Sequence, residues 1–206
     1  MRLVLLGLPG AGKGTQAKRI AEKYHLTAIS TGEMLREAAK EKDTFGLRVQ
    51  EYMNKGELVP DEWINSLVKS RLQEKDVENG FVLDGYPRTL QQAKMLEVYL
   101  QSQNRDLDAV FFLDVSQDTL RHRLAKRGTL RLKAKQGNAQ NEAKRGEIRL
   151  DDKPEVIENR LRINEGLIES LIHFYKERNL LHVINGEGTL DNVFDNINES
   201  LLPINK

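Results

Sequence analysis

Gly7-Leu8-Pro9-Gly10-Ala11-Gly12-Lys13-Gly14-Thr15 combines glycines with one lysine, just after a short apolar run and just before a helical pattern. Glycines let the backbone turn its N–H groups inward and approach an anion closely, and a helix N-terminus adds a favourable dipole. Lys13 would set a cation on the outer phosphates of a nucleoside triphosphate. Gly7, Gly12 and Lys13 satisfy the spacing G-x-x-x-x-G-K. A serine or threonine usually follows that lysine. Here Gly14 follows it, with Thr15 one place later, which argues against direct metal ligation from that position. The predicted contacts to the donor phosphates are Gly10, Ala11, Gly12, Lys13, Gly14 and Thr15.

A second segment, Phe81-Val82-Leu83-Asp84-Gly85-Tyr86-Pro87-Arg88-Thr89, ends an apolar run in an acid. If the run is a strand, Asp84 lies at the carboxyl edge of a sheet, where open α/β folds bind ligands. There it could hold magnesium, directly or through water. Gly85 permits close backbone approach, Pro87 stiffens the turn, and Arg88 offers a planar fork for a phosphate. The competing reading of Asp84 is a helix cap or surface ion pair.

Those residues need a scaffold. Short apolar runs at 2–6, 80–84, 109–115 and 180–185, with a weaker one at 26–30, predict buried strands. Helical patterns at 13–24, 61–73, 89–101, 117–127, 154–178 and 189–201 fill the gaps, which implies a parallel sheet covered on both faces. Two stretches break the alternation. Residues 31–60 hold helical pieces without a strand, and 128–150 is polar, basic and free of aromatics. Both are expected to be insertions on the sheet core.

Four motifs in this order, 7–15, Ile29-Ser30-Thr31-Gly32-Glu33-Met34-Leu35-Arg36, Leu83–Thr89 and Arg149-Leu150-Asp151-Asp152, resemble the adenylate kinase family. The resemblance runs from Met1 to about Arg127 and again from about Arg149 onward. It implies a three-layer α/β fold of the phosphate-loop (P-loop) NTPase type, with a five-stranded parallel sheet flanked by helices. It further implies a core of 1–29, 60–126 and 151–206, a nucleoside-monophosphate-binding insertion at 30–59 and a lid insertion at 127–150. The implied reaction is ATP + AMP ⇌ 2 ADP with Mg2+. The resemblance assigns Thr31, Arg36, Gly85, Arg88 and Gln92 to AMP, with Gln92 on the adenine. The backbone of Glu57, Leu58 and Val59 would wall that site, and Asp84 would hold Mg2+ through water. Arg123 and Arg127 fall to ATP, and Arg149 and Arg160 to the AMP side. Lys13, Arg88, Arg127, Arg149 and Arg160 form the catalytic set.

Bland readings accompany several of these residues. Ser30–Glu33 and Thr89–Gln92 each read as a capping box, so Gln92 could be a helix cap. Ser30 is the natural cap of its helix, which would leave the Thr31 hydroxyl free. Asp152 with Pro154 and Glu155 is an ordinary helix start. Gly46, Tyr52 and Met53 suit packing better than ligand contact. Arg160 lies about two turns into its helix, with Arg162 on the far side, so Arg160 is the inward one.

Composition excludes other classes. The 206 residues suit one domain, and the net charge of +1 gives no field for nucleic acid or an anionic membrane. The chain has no cysteine, and 128–148 has no histidine either, so zinc is not expected. No apolar stretch approaches the roughly 18 residues that span a bilayer. A cytoplasmic monomer that binds ATP, AMP and ADP is the expectation. A kinase of UMP, CMP or another monophosphate is the nearest alternative. A non-catalytic phosphate-loop binding module is the distant one.

Overall fold

The computed structural model describes residues 1–41, 43–136 and 154–202, with backbone alone at 128–136 and 154–155. Arg149 and the acidic pair 151–152 therefore lie outside the described residues.

Five parallel strands make the sheet: β1 (Arg2–Leu6), β2 (Thr27–Ser30), β3 (Phe81–Asp84), β4 (Ala109–Asp114) and β5 (Leu181–Asn185). Their spatial order is β2-β3-β1-β4-β5. The chain runs outward from β1 to β2, returns to β3, then crosses over β1 to β4. That reversal opens a crevice at the carboxyl ends of β1 and β3. Register aligns the ends, since Leu5 sits beside Asp84 and Ser30 beside Asp84.

β1 shows why the strands are apolar throughout. Leu3 and Leu5 face one layer and Val4 and Leu6 the other, and none of the four is more than 3% exposed. On the first face pack α1 (Lys13–Tyr24), α6 (Gln117–Gln136) and α8 (Leu190–Leu201), through Ala17, Ile20, Leu120, Leu124 and Ile197. On the second pack α4 (Asp61–Arg71), α5 (Leu90–Ser102) and the later turns of α7 (Pro154–Glu177), through Ile64, Val68, Leu96, Leu171 and Tyr175. The three-layer expectation stands. The helix expected at 117–127 continues to Gln136.

Residues 30–59 hold α2 (Thr31–Ala38) and α3 (Thr44–Lys55). Ser30 caps α2, its hydroxyl accepting from Glu33 N, and Asp43 caps α3 through Gly46 N at 2.6 Å. Tyr52 and Phe45 pack on Trp63, and Gly46 is buried, as the packing reading expected. Asn159 Nδ2 of α7 donates to Lys55 O at 2.7 Å, which ties the end of α3 to the helix that carries Arg160.

Candidate active site

The loop between β1 and α1 is built from positive-φ glycines. Gly10 (φ 93°) and Gly12 (φ 96°) occupy a region that residues with a Cβ rarely adopt. Gly12 stands at the N-cap of α1 without a side-chain cap. Thr15 N and Gln16 N both donate to Gly12 O at 3.1 Å, and the N–H groups of Lys13 and Gly14 precede the first intrahelical bonds, as at any helix start. Lys13 folds back over the loop, and its ammonium donates to Gly7 O at 2.7 Å and Leu8 O at 3.0 Å.

Gly14 lies against Asp84: a Cβ there would stand 3.0 Å from Asp84 Oδ2, and the carboxylate would have to shift slightly to admit it. Asp84 also accepts from Ser30 Oγ at 3.3 Å. Thr15 is exposed at the mouth of the same cleft.

That cleft encloses about 490 Å³, and Lys13, Arg36, Arg88, Arg127 and Arg160 all line it. Removal from water pushes the Lys13 ammonium down to about 8, with Asp84 opposing the shift and Arg88, Arg160 and Arg127 adding to it. A lysine so placed is destabilised by its own charge until an anion arrives. A second, smaller chamber adjoins the first. Leu35, Met53, Leu58, Val59 and Ile64 give it an apolar wall, and Gln92 is among its polar groups. Gly32, Arg36, Gly85, Arg88 and Arg160 line both chambers.

The expected residues distribute as follows. Gly10, Gly12, Lys13, Gly14, Thr15, Asp84 and Arg127 line the larger chamber, while Thr31, Glu57, Leu58, Val59 and Gln92 line the smaller. Ala11 is buried within the loop, its N–H donating to Leu8 O at 3.1 Å. Arg160 is inward and Arg162 exposed, bonded to Asn159 Oδ1 at 2.9 Å. One expectation needs correction. The Thr31 hydroxyl is not free: it donates to Asp84 O at 3.3 Å, because β2 and β3 end side by side. The Arg123 guanidinium donates to Gly186 O at 3.0 Å and Gly188 O at 3.4 Å. Arg123 and Arg127 are four apart on α6; the first reaches backbone carbonyls and the second lines the cleft.

Sequence reasoning missed Asp61. Its carboxylate accepts from Thr89 Oγ1 at 2.8 Å and from Gln92 Nε2 at 2.7 Å. Its signal was an acid at a helix start, which ordinarily means only a favourable dipole contact. Gln92 is 2% exposed, and its Oε1 accepts from Arg88 N at 2.7 Å. The capping box is therefore half formed: Thr89 caps Gln92 N at 3.1 Å, but the glutamine side chain turns to Arg88.

A glycine loop closing onto a helix, at the switch point of a parallel sheet and under a cluster of guanidinium groups, defines a phosphate-loop nucleotide-binding fold. Residues 5–180 match the family model described as Adenylate kinase. The chain belongs to the adenylate kinase family. It is 45% identical to the adenylate kinase of Lactobacillus helveticus, with 98% of each chain covered. Identity to the Listeria innocua adenylate kinase is 43% over 98% of this chain and 99% of that one. Identity to the Enterococcus faecalis adenylate kinase is 43% over 96% and 97%.

No helix among the described residues is long and apolar enough to cross a membrane, and those residues hold no cluster of three or more metal-ligating side chains.

Proposed function

We propose that this enzyme transfers the terminal phosphoryl group of ATP to AMP, reversibly, giving two ADP. The observation that carries this reading is the pair of chambers sharing Arg36, Arg88 and Arg160 on their common wall. Two anionic ligands set end to end would meet there. The triphosphate would lie along the loop of residues 7–15. The monophosphate would enter the smaller chamber, its base against Leu58 and Val59 and its phosphate at Arg36 and Arg88. Residues 30–59 would then form the monophosphate-binding unit and 127–150 the lid, with Arg149 joining the cationic wall on closure.

A phosphate oxygen of AMP attacks the γ-phosphorus. The bond from that phosphorus to the β–γ bridging oxygen breaks, and the electron pair leaves with ADP. The nucleophile is already an anion, so no side chain needs to remove a proton. Lys13, Arg88, Arg127 and Arg160 neutralise charge that spreads over the transferring group. Magnesium, carried on the ATP phosphates, would supply further charge neutralisation, with Asp84 holding its water shell. Asp84 fits that role because its carboxylate borders the loop beside Gly14.

A panel of AMP, UMP, CMP and GMP with ATP tests the reading. ADP formation fastest with AMP is expected. Faster turnover of a pyrimidine monophosphate, or nucleotide binding without any ADP production, would overturn it.

Lys13 offers a second measurement. Phosphate binding favours the charged ammonium and so raises its proton affinity above the depressed level of about 8. ATP binding near pH 9 should then draw close to one proton from solution. Calorimetry in two buffers of different ionisation enthalpy reads that uptake directly. Equal heats in both buffers would contradict the placement of Lys13 on the phosphates.

A further inference from the structure

The side-chain amide of Gln92 has a direction, and both of its ends are spoken for. Arg88 N can only donate, so it takes Oε1, at 2.7 Å. The Asp61 carboxylate can only accept, so it takes Nε2, at 2.7 Å. Swapping oxygen and nitrogen would set two donors face to face at Arg88 and two acceptors face to face at Asp61. Asp61 is itself held, because its other oxygen accepts from Thr89 Oγ1 at 2.8 Å and Thr89 caps α5. The backbone of Gln92 is pinned as well, its carbonyl accepting from Tyr86 Oη at 3.2 Å. The amide is nearly fully buried, so a reversed orientation would leave groups unpaired with no solvent to repair them.

We infer that Asp61 is a positioning residue that locks the polarity of the Gln92 amide, so that the smaller chamber accepts bases with an exocyclic amine and rejects bases with a carbonyl in its place. The inference rests on the proposal that Gln92 meets the base of the monophosphate. What the lock leaves available on Gln92 is a lone pair on Oε1 and a hydrogen on Nε2. Adenine complements both, through its 6-amino donor and its N1 acceptor. Hypoxanthine and guanine reverse both, with an O6 acceptor and an N1–H donor. A freely turning glutamine would serve either edge equally, so ring size and stacking alone could not supply this selectivity.

The wild-type enzyme decides the matter without any mutation. AMP, purine riboside 5′-monophosphate and IMP differ only at position 6 and N1. Purine riboside lacks the 6-substituent but keeps the N1 acceptor, so it loses at most one bond. IMP meets the locked amide with like poles. A fixed amide therefore predicts affinities in the order AMP, then purine riboside monophosphate, then IMP, with IMP about tenfold or more below purine riboside. IMP binding as well as or better than purine riboside would overturn the lock.

Asp61→Asn tests the residue itself. An asparagine can donate to a reversed Gln92, so one of the two locks opens. The preference for AMP over IMP in kcat/KM should fall at least about threefold, through KM, while kcat with AMP changes little. General loosening of the site would weaken both nucleotides alike and leave the ratio unmoved. An unchanged ratio in a folded Asp61→Asn enzyme would remove Asp61 from the role. Gln92→Ala separates the underlying reading: an unaltered KM for AMP would mean that Gln92 does not meet the base at all.

Discussion

Arg88→Ala is expected to lower kcat by about three orders of magnitude, with little change in thermal stability. Its guanidinium lines both chambers, where the two substrates would meet, and its Nε donates to Gly85 O at 2.8 Å, which aims it there. Charged hydrogen bonds contribute roughly 1.5–3 kcal/mol each. Two that tighten as charge spreads in the transition state would supply about 4 kcal/mol, or about a thousandfold in rate. Stability should hold because the residue is half-buried among other cations, so its removal relieves repulsion while it ends the bond to Gly85 O. Steady-state kinetics in both directions, with a thermal melt alongside, checks both halves. Turnover within threefold of wild type would detach Arg88 from the reaction.

Lys13→Met should lower kcat at least as far, yet leave the ligand-free protein as stable or slightly more so near neutral pH. Methionine keeps the length of the stem and drops the charge. Below about pH 8 the ammonium is charged in folded and unfolded chains alike, and the folded chain bears the full penalty of desolvating it. From about 8 to the ordinary value of 10.5 the unfolded chain holds the proton that the folded one has lost, so wild-type stability climbs with pH across that window. The full penalty corresponds to about 3 kcal/mol, at 1.36 kcal/mol for each pH unit separating the two values. Losing the bonds to Gly7 O and Leu8 O offsets it by about 1 kcal/mol each. Denaturant unfolding from pH 7 to 10.5 should show the climb in wild type and none from this source in Lys13→Met. A variant destabilised by more than about 2 kcal/mol, or one with the same climb, would contradict the picture.

The fold was legible where local rules and burial agree. The apolar run 2–6 and the glycine loop after it specify a buried parallel strand and a phosphate cradle, because residues with a Cβ rarely adopt the backbone found at Gly10 and Gly12. Helix starts at Ser30 and Thr89 were visible because capping is chemistry between residues three apart. The Arg160 side of α7 was visible for the same reason, since helical spacing separates it from Arg162. The carbonyl partners of Arg123 were not legible: a helical position says nothing about which carbonyls a long side chain will find, and the loop at Gly186–Gly188 comes from a distant part of the chain.

The sequence by itself therefore determined the phosphate loop, the order of strands and helices and the types of residue offered to anions, since each depends on backbone preference or on neighbours within a turn. Only the tertiary structure decided that Lys13, Arg36, Arg88, Arg127 and Arg160 share one cleft, that Gly14 lies against the Asp84 carboxylate, and that Asp61 turns the Gln92 amide one way. Asp61 and Gln92 are 31 positions apart, Gly14 and Asp84 are 70, and the parallel register of β1, β2 and β3 brings the loop after β1 and the end of β3 to a single edge.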